Sequence, residues 1–132
     1  MTIPSASHLV LIPSYNTGKI VLATVRDARR FWDPVWVVID GSTDGTGDAL
    51  KSMAENDSGL KIFILPHNQG KGAAVLHGLR QAADAGFTHA LTMDADGQHP
   101  ADKIPEFMSA SQTNPDAVIL GRPIFDASAP AL

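Results

Sequence analysis

The sequence predicts an α/β fold in which a mainly parallel sheet carries helices on both of its faces. Three observations lead to this prediction. Five apolar segments rich in Val, Ile and Leu recur along the 132 residues, and segments with a helical spacing of apolar residues separate them. The apolar segments hardly alternate with polar residues, as is typical of strands buried on both faces. Strands that alternate with helices are connected by right-handed crossovers, which run neighbouring strands in parallel.

The predicted strands are the five apolar segments. They read "HLVLI" at 8–12, "VWVVID" at 35–40, "KIFIL" at 61–65, "HALTMD" at 89–94 and "AVILG" at 117–121. A Pro- and Ala-rich stretch, "GRPIFDASAPAL", follows at the carboxyl end. No linker, repeat or low-complexity stretch divides the pattern. We therefore predict one domain over residues 1–132, and we expect it to be incomplete at its carboxyl end.

The predicted helices lie between the strands, where apolar residues recur three or four positions apart. The residues that mark the four helices are Val21, Leu22, Val25, Ala28 and Trp32 for the first, Leu50, Met53 and Ala54 for the second, Val75, Leu76, Leu79, Ala82 and Ala83 for the third, and Ile104, Phe107 and Met108 for the fourth.

Composition limits the classes of function. A hydrophobic content of 44% and a charged content of 18% are ordinary for a globular domain. The net charge of -4 argues against a nucleic-acid-binding protein, because that affinity comes mainly from Lys and Arg on phosphates. The absence of cysteine excludes disulfides and thiolate metal sites. The start lacks the features of a signal peptide, and no apolar run reaches the roughly 18 residues of a membrane span, so we predict a cytoplasmic protein.

Polar and glycine-rich segments follow every predicted strand. They are "PSYNTG", "DGSTDGT", "PHNQGKG", "DADGQH" and "GRP", in chain order. In open parallel sheets, ligands bind outside the carboxyl ends of the strands. The five segments are therefore predicted to share one edge and to form one site.

Two of these segments are compatible with nucleotide binding. Asp40 stands at the tip of the second strand, where it is a candidate to accept hydrogen bonds from a base or ribose; the alternative for "DGSTDGT" is turn and N-cap chemistry. Lys71 begins a predicted helix between glycines and is a candidate for a diphosphate contact, the alternative being a solvated surface lysine. A P-loop is excluded because Leu65 and Gly72 stand where it requires Gly and Ser or Thr.

The segment "DADGQH" is the strongest local signal. Asp94 and Asp96 would project to the same side of an extended backbone, and two such carboxylates repel each other unless a cation or water lies between them. Hard divalent cations take oxygen ligands and bridge to phosphates, so Asp94, Asp96 and Gln98 are candidates to hold Mg²⁺ or Mn²⁺. The alternative is an exposed Asp-Gly turn with a helix N-cap. His99 is a lesser candidate as a ligand or nucleotide contact.

At these residues the chain resembles family-2 glycosyltransferases. "LIPSYNTG" and "VVIDGSTDGT" resemble their first two strand-end motifs. The long segment "NQGKGAAVLHGLRQAADAGFTHALTMDADGQHP" is similar to the nucleotide-sugar half of polyprenyl-phosphate sugar synthases, and "VILGRP" fits the segment that follows. The resemblance covers roughly residues 8 to 123, and the order of the motifs makes it more specific than any one of them.

The resemblance implies a GT-A, Rossmann-like fold and a UDP- or GDP-linked sugar donor. By position in the motifs, Pro13 and Tyr15 would line the base pocket, Asp40 would contact the base or ribose, and Lys71 and Asp94 would lie near the nucleotide. The implied reaction is displacement at the anomeric carbon with inversion.

The resemblance also implies a metal site and an acceptor. Asp94 and Asp96 match the family's acidic pair, and Gln98 matches a residue that joins the metal shell around Mg²⁺ or Mn²⁺. A lipid phosphate is the acceptor class of the similar synthases and would place the protein at the inner face of the membrane. The sequence gives no indication of oligomeric state.

The sequence departs from the family at three places. Ile39 replaces the first acid of the usual Asp pair, and Thr17 stands where Glu is usual. In the family, the acceptor half with its general base normally lies beyond the point where this chain ends, so no catalytic base is assigned.

Two alternatives remain at this stage. One is a non-catalytic nucleotide-sugar-binding fragment. The other is a haloacid-dehalogenase-like phosphatase, in which the first Asp of a similar motif attacks phosphate. That motif usually closes the first strand and continues with Thr or Val, whereas here it closes the fourth strand and Gln98 follows the glycine.

Overall fold

The structure is a computed structural model that describes residues 3–97 and 100–120. Its elements are β1 (His8–Ser14), α1 (Ile20–Phe31), β2 (Val35–Asp40), α2 (Thr46–Glu55), β3 (Leu60–Leu65), α3 (Lys71–Asp84), β4 (His89–Thr92), a short 3-10 turn (Ala101–Lys103) and α4 (Ile104–Thr113). The strands form one sheet in the order β3-β2-β1-β4. All three strand pairs are parallel, which confirms the predicted α/β arrangement.

Helices cover both faces of the sheet, as predicted. Alternate residues of β1 and β2 enter two separate hydrophobic clusters, so the clusters lie on opposite faces. One cluster contains buried side chains of α1, α2 and α4, and the other contains those of α3. From the helices, the buried side chains of the first cluster are Val21, Val25, Ala28, Leu50, Ile104 and Met108, and those of the second are Ala74 and Ala82.

The two central strands are buried along their whole length. Every residue of β1 and β2 is buried, which confirms the prediction of strands covered on both faces. For β3 and β4 the prediction is wrong, because these strands are the outer ones of the four and contain exposed and half-buried residues. A strand that is paired along one side lacks the neighbour that shields its other side.

The bounds of several predicted strands differ from the structure. β1 extends to Ser14 rather than ending at Ile12, and β3 begins at Leu60 rather than at Lys61. β4 ends at Thr92 rather than at Asp94, and residues 95–96 form a turn. The predicted fifth strand at 117–121 is wrong over its described part, because residues 117–120 have no strand structure and Val118 and Leu120 are 84% and 82% exposed. Apolar β-type residues form a strand only when a neighbouring strand and a covering layer are supplied, which local sequence does not guarantee.

The face of the third helix that packs on the sheet agrees only in part with the prediction, because Val75 and Ala82 pack there but the two leucines do not. Leu76 and Leu79 are 46% and 39% exposed, while the buried residues of α3 are Ala74, Gly78 and Ala82. These small side chains bring the helix close to β1. A Cβ atom on Gly78 would lie 2.5 Å from Cδ1 of Leu11, so the close contact requires glycine there.

The amino edge of the sheet is tied by polar contacts of its own. His8 and His89 are aligned partners in β1 and β4, and their rings stack with centroids 4.4 Å apart. Arg29 forms a two-point ion pair with Asp57, with Nε and Nη2 at 2.8 and 2.7 Å from the carboxylate oxygens. This hydrogen bonding holds the pKa of Asp57 below its ordinary value.

Candidate functional site

Four loops meet at the carboxyl edge of the parallel sheet. They are the first loop (residues 15–19), the second loop (41–45), the lysine loop (66–70) and the acidic segment (93–97), which follow β1, β2, β3 and β4. Because the strands are parallel, all four loops leave the same edge, as the sequence predicts. The segment "GRP" at 121–123 lies outside the described residues.

The first and second loops are joined through Asn16. Its Oδ1 accepts a hydrogen bond from the backbone N–H of Thr43 at 2.8 Å, and its own N–H donates to Oγ of Ser42 at 2.9 Å. Asn16 adopts a positive φ of 46°, which Asn tolerates better than most residues. Two consecutive residues of the second loop are thus fixed by one side chain and its backbone.

Asp44 makes a second connection between the same loops. Its Oδ2 accepts from the backbone N–H of Gly18 at 2.9 Å, and its Oδ1 accepts from the backbone and the hydroxyl of Thr46 at 3.1 and 2.6 Å. The hydrogen bond from the Thr46 hydroxyl is the main cause that lowers the pKa of Asp44. Turn chemistry at the start of α2, the alternative considered for this motif, is therefore present in the structure.

Asp40 connects the second strand to the lysine loop. Its side chain lies at the end of β2 and the residue is 2% exposed. One carboxylate oxygen accepts from the backbone N–H of Gln69 at 2.8 Å, and the other accepts from that of Gly70 at 2.9 Å. Both oxygens of this buried carboxylate are therefore bound to the loop that leads into α3.

Gly41 brings the second loop into direct contact with the same segment. It has a φ of +70°, and a Cβ atom there would lie 2.3 Å from the backbone nitrogen of Asn68. Its own N–H donates to the carbonyl of Leu65 at 3.1 Å. No side chain larger than hydrogen fits without a backbone shift, so Asp40 and Gly41 together fix where the lysine loop lies.

Lys71 and Asp94 bring the lysine loop and the acidic segment together. Lys71 is the first residue of α3, and its Nζ donates to Oδ1 of Asp94 in an ion pair. The two side chains are 66% and 37% exposed, so the pair lies at the surface. Two residues that the sequence assigns to diphosphate and metal chemistry are thus in contact.

The acidic segment is held from below by buried residues. Met93 and Ala95 are 4% exposed, whereas Asp96 is exposed. The hydroxyl of Thr24 on α1 donates to the carbonyl of Ala95 at 3.0 Å. The expectation of an extended backbone is wrong at residues 95–96, which form a turn, but burial still alternates along the segment. Gln98 and His99 lie outside the described residues.

The two predicted base-pocket residues have different environments. Tyr15 is 50% exposed in the first loop, next to the connection made by Asn16. Pro13 is buried within β1, opposite Val38 of β2. A contact of either residue with a base stays a prediction.

The described residues could bind a divalent cation only if a bound ligand supplied further oxygen atoms to its coordination shell. Among residues 3–97 and 100–120, no group of three or more His, Cys, Asp or Glu side chains could hold a metal ion. Asp94 and Asp96 supply carboxylate oxygens, the donor type that Mg²⁺ and Mn²⁺ prefer, and such ions commonly complete their shell with phosphate oxygens and water. The donor chemistry of the acidic segment therefore suits a cation shared with a diphosphate.

Two connecting residues were not predicted from the sequence. Asn16 had a usable signal, since an Asn two residues before a glycine in a loop is a candidate for positive φ. Thr24 also had one, because it lies on the buried face of α1 and a buried hydroxyl requires an acceptor. Neither signal predicts which segment the residue contacts, namely the second loop for Asn16 and the acidic segment for Thr24.

Comparison with known proteins assigns the chain to a family. The sequence profile described as "Glycosyl transferase family 2" matches residues 9–129. An undecaprenyl-phosphate mannosyltransferase from Micrococcus luteus is 34% identical over 108 residues, which cover 80% of this chain and 44% of that protein. A UDP-N-acetylglucosamine–dolichyl-phosphate N-acetylglucosaminyltransferase from Methanococcus voltae is 32% identical over 108 residues, covering 72% of this chain and 43% of that protein. The chain thus spans less than half the length of these relatives.

A solved structure supports the fold. A mannosyltransferase from Pyrobaculum calidifontis, in complex with GDP-Man and Mn²⁺, superposes with a TM-score of 0.58 and 23% identity over 76% of this chain and 32% of that chain. The predicted GT-A-type α/β fold and the predicted resemblance to family-2 glycosyltransferases are confirmed.

Proposed function

The chain belongs to glycosyl transferase family 2, and from this premise we propose that it binds a UDP- or GDP-linked sugar for inverting transfer to an acceptor. The contact between Lys71 and Asp94 carries the proposal. It places a cation and an anion of this chain side by side at the edge where four loops converge. A nucleoside diphosphate needs both kinds of partner, namely a cationic donor for its oxygens and acidic ligands for its accompanying metal ion.

The donor would lie across the four loops. Lys71 would donate to the diphosphate oxygens, and its position at the start of α3 adds the partial positive charge of a helix N-terminus. Tyr15 and Pro13 would border the base, with the exposed ring of Tyr15 as the more accessible of the two. Asp40 is predicted to contact the base or ribose. Because Asp40 is buried, this contact needs a direct experimental test.

Asp94, Asp96 and Gln98 would hold Mg²⁺ or Mn²⁺ together with the diphosphate. When bound, such a cation neutralises charge that develops on the departing nucleoside diphosphate. Met93 and Ala95, which are buried, would keep the acidic segment in place beneath the donor. Lys71 would give the same leaving group a second positive partner.

The proposed reaction is a single displacement. An acceptor oxygen forms a bond to the anomeric carbon while the bond from that carbon to the diphosphate oxygen breaks, which inverts the configuration. A phosphate acceptor attacks through an oxygen that is already largely ionised at neutral pH, whereas a hydroxyl acceptor would pass its proton to a general base. Excluding water from the anomeric carbon protects the donor from hydrolysis.

We propose a lipid phosphate as the acceptor. The support is that two relatives carry undecaprenyl-phosphate and dolichyl-phosphate in their names. No helix in the described part of the chain has the length and apolar character needed to cross a bilayer. We propose that the chain meets this acceptor at the inner face of the membrane.

A calorimetric panel tests the donor and metal assignments together. UDP, GDP, CDP and dTDP are titrated with and without Mn²⁺, and we expect UDP or GDP to bind and Mn²⁺ to strengthen the binding. In Asp96→Ala the metal-dependent part should disappear. Asp84→Ala, at the exposed end of α3, is the control and should bind as the wild type does.

Other results would support the alternatives. Equal binding by wild type and Asp96→Ala, with Mn²⁺ present, would remove the metal site from the proposal. Donor binding without hydrolysis or transfer would support the non-catalytic fragment. Hydrolysis of p-nitrophenyl phosphate with Mg²⁺ that is lost in Asp94→Asn would support the phosphatase, which the family match does not favour.

A further inference from the structure

We infer that Asp40 is a positioning residue, which acts through the backbone of the lysine loop to hold Lys71 toward the diphosphate. The inference rests on the proposed function, since it names how that site is kept in its binding geometry. It assigns Asp40 a role different from the base or ribose contact that its motif implies.

The carboxylate of Asp40 is buried and is bound by backbone donors. Asp40 is 2% exposed, and each of its oxygens accepts one backbone hydrogen bond, at 2.8 Å from Gln69 and 2.9 Å from Gly70. A buried carboxylate is stable only when hydrogen bonds or an opposite charge compensate its desolvation. Here consecutive N–H groups of one loop supply that compensation, so the side chain and the loop depend on each other.

These two N–H groups lie immediately before the start of α3. They belong to the two residues directly before Lys71, and α3 begins at Lys71. Gly70 has φ 97° and ψ 156°, a conformation that is essentially restricted to glycine. Asp40 therefore stabilises the backbone conformation that sets the direction in which the chain enters α3.

Beyond the lysine loop, Lys71 makes a contact with the acidic segment. Lys71 reaches across to Asp94 on the acidic segment, while Gly41 packs directly on the backbone of Asn68. The lysine loop is thus fixed from the β2 side and delivers its cation to the β4 side. Release of the β2 side would leave the position of Lys71 relative to Asp94 undetermined.

The experiment separates a positioning role from a nucleoside contact by the choice of ligand. Pyrophosphate contains the diphosphate but neither base nor ribose. In Asp40→Asn an amide group faces two N–H donors, and we expect binding of pyrophosphate with Mn²⁺ to weaken about tenfold, from the loss of one hydrogen bond to a charged acceptor. Asp84→Asn is the matched control and should retain wild-type affinity.

Two further readouts report on the loop itself. Amide hydrogen exchange at Gln69 and Gly70 should accelerate in Asp40→Asn while exchange in the core of β1 stays slow. In a double-mutant cycle, Lys71→Met should weaken pyrophosphate binding in the wild type and have much less effect in Asp40→Asn, because Lys71 is already misplaced there. A residue that only stabilised the fold would not produce this coupling.

A second pair of variants covers the case in which Asp40→Asn does not fold. Gln69 is exposed, so Gln69→Pro removes one of the two N–H donors without a change at Asp40, and Gln69→Ala keeps it. We expect weaker pyrophosphate binding in Gln69→Pro and unchanged binding in Gln69→Ala.

The outcomes are distinct. If Asp40→Asn binds pyrophosphate as the wild type does but loses affinity for UDP or GDP, Asp40 contacts the nucleoside and the inference is overturned. Equal affinity of Gln69→Pro and Gln69→Ala would overturn it as well. If the wild type binds neither pyrophosphate nor any nucleotide, the proposed function fails, and the inference fails with it.

Discussion

At the residue scale, the imidazoles of His8 and His89 stack on each other between β1 and β4. The ring nitrogens of His8 lie 2.7 Å from the Ser7 hydroxyl and 3.1 Å from the Ser111 hydroxyl, and those of His89 lie 2.8 Å from the Thr88 hydroxyl and 2.7 Å from the carbonyl of Pro115. Burial lowers the pKa of His8, and repulsion from His89 lowers it further. The folded protein therefore prefers His8 in its neutral form.

This preference makes stability depend on pH. The unfolded chain takes up a proton on His8 at a higher pH than the folded chain does, so this contribution to stability is complete above the ordinary value of 6.5. It is lost as the pH falls through 6.5 toward the lowered pKa of the folded state. We expect a smaller free energy of unfolding at about pH 5.5 than at about pH 7.5, measured by urea denaturation.

The control for this prediction is His8→Gln. It removes the titrating group and should flatten the dependence in this range, whatever its own effect on stability. His77→Gln removes an imidazole that lies against Phe63 instead of a second histidine, and it should keep the wild-type slope. A wild-type slope in His8→Gln would show that other groups cause the dependence.

Single residues at the site could be predicted to different degrees. Topology predicts that Lys71 and Asp94 lie at the same edge, since both come after carboxyl ends of parallel strands. Their contact does not follow from topology, because β3 and β4 stand at opposite ends of the strand order. The contacts of Asp40 do not follow, because a carboxylate at a strand tip suits a ligand and a backbone N–H equally well. Its choice depends on the path of a loop 29 residues away in sequence.

At the element scale, α3 shows how small residues decide which face of a helix is buried. Its leucines predict one face, but the helix packs with Ala74, Gly78 and Ala82 toward the sheet. Close approach increases the contact between helix backbone and strand side chains, and here it places Gly78 against Leu11. Periodicity predicts the helix, whereas its rotation depends on volumes on both sides of the interface.

Two glycine substitutions in α3 test this packing. Gly78→Ala adds a methyl group 2.5 Å from Cδ1 of Leu11, and we expect a loss of about 1–3 kcal/mol in the free energy of unfolding from overpacking. Gly72→Ala, near the start of the same helix, meets no atom within 4 Å and should gain about 0.4–1 kcal/mol through reduced entropy of the unfolded chain. Urea denaturation of both variants measures the difference, and equal effects would contradict the close approach.

Strands could be predicted best where a neighbouring strand lies on each side of them in the sheet. β1 and β2 are central, and because both of their faces are covered, their continuous apolar sequences predicted the bounds of β2 and the start of β1 correctly. The end of β1 at Ser14 was missed. The end of β4 and the segment at 117–120 were predicted less well. Strand pairing determines where β4 ends and whether residues 117–120 form a strand. The sequence of a strand does not identify the residues with which it pairs.

At the scale of the whole molecule, the net charge of -4 contrasts with the cation that Lys71 places at the candidate site. A long polyanion interacts with the charge averaged over a large part of the surface, whereas a small anion interacts mainly with the charged groups next to its binding site. The same protein can therefore repel nucleic acid and bind a nucleoside diphosphate.

This contrast gives a prediction for nucleic acids. With labelled single- and double-stranded DNA or RNA, we expect no saturable binding by fluorescence anisotropy at protein concentrations below about 10⁻⁴ M and near-physiological salt. UDP or GDP titrated in the same buffer with Mn²⁺ is the positive control. Tighter binding of DNA or RNA that weakens steeply with added salt would show a basic surface that the composition does not indicate.

The ion pair between Lys71 and Asp94 has a consequence for the order of events when donor arrives. Lys71 serves as an internal counter-ion, so a divalent cation that arrives alone competes with an ammonium group already in place. A diphosphate that draws Lys71 away removes this competitor from the carboxylate and offers the ammonium a new anion in exchange. In the proposed site, donor and cation would therefore bind cooperatively, each one raising the affinity for the other.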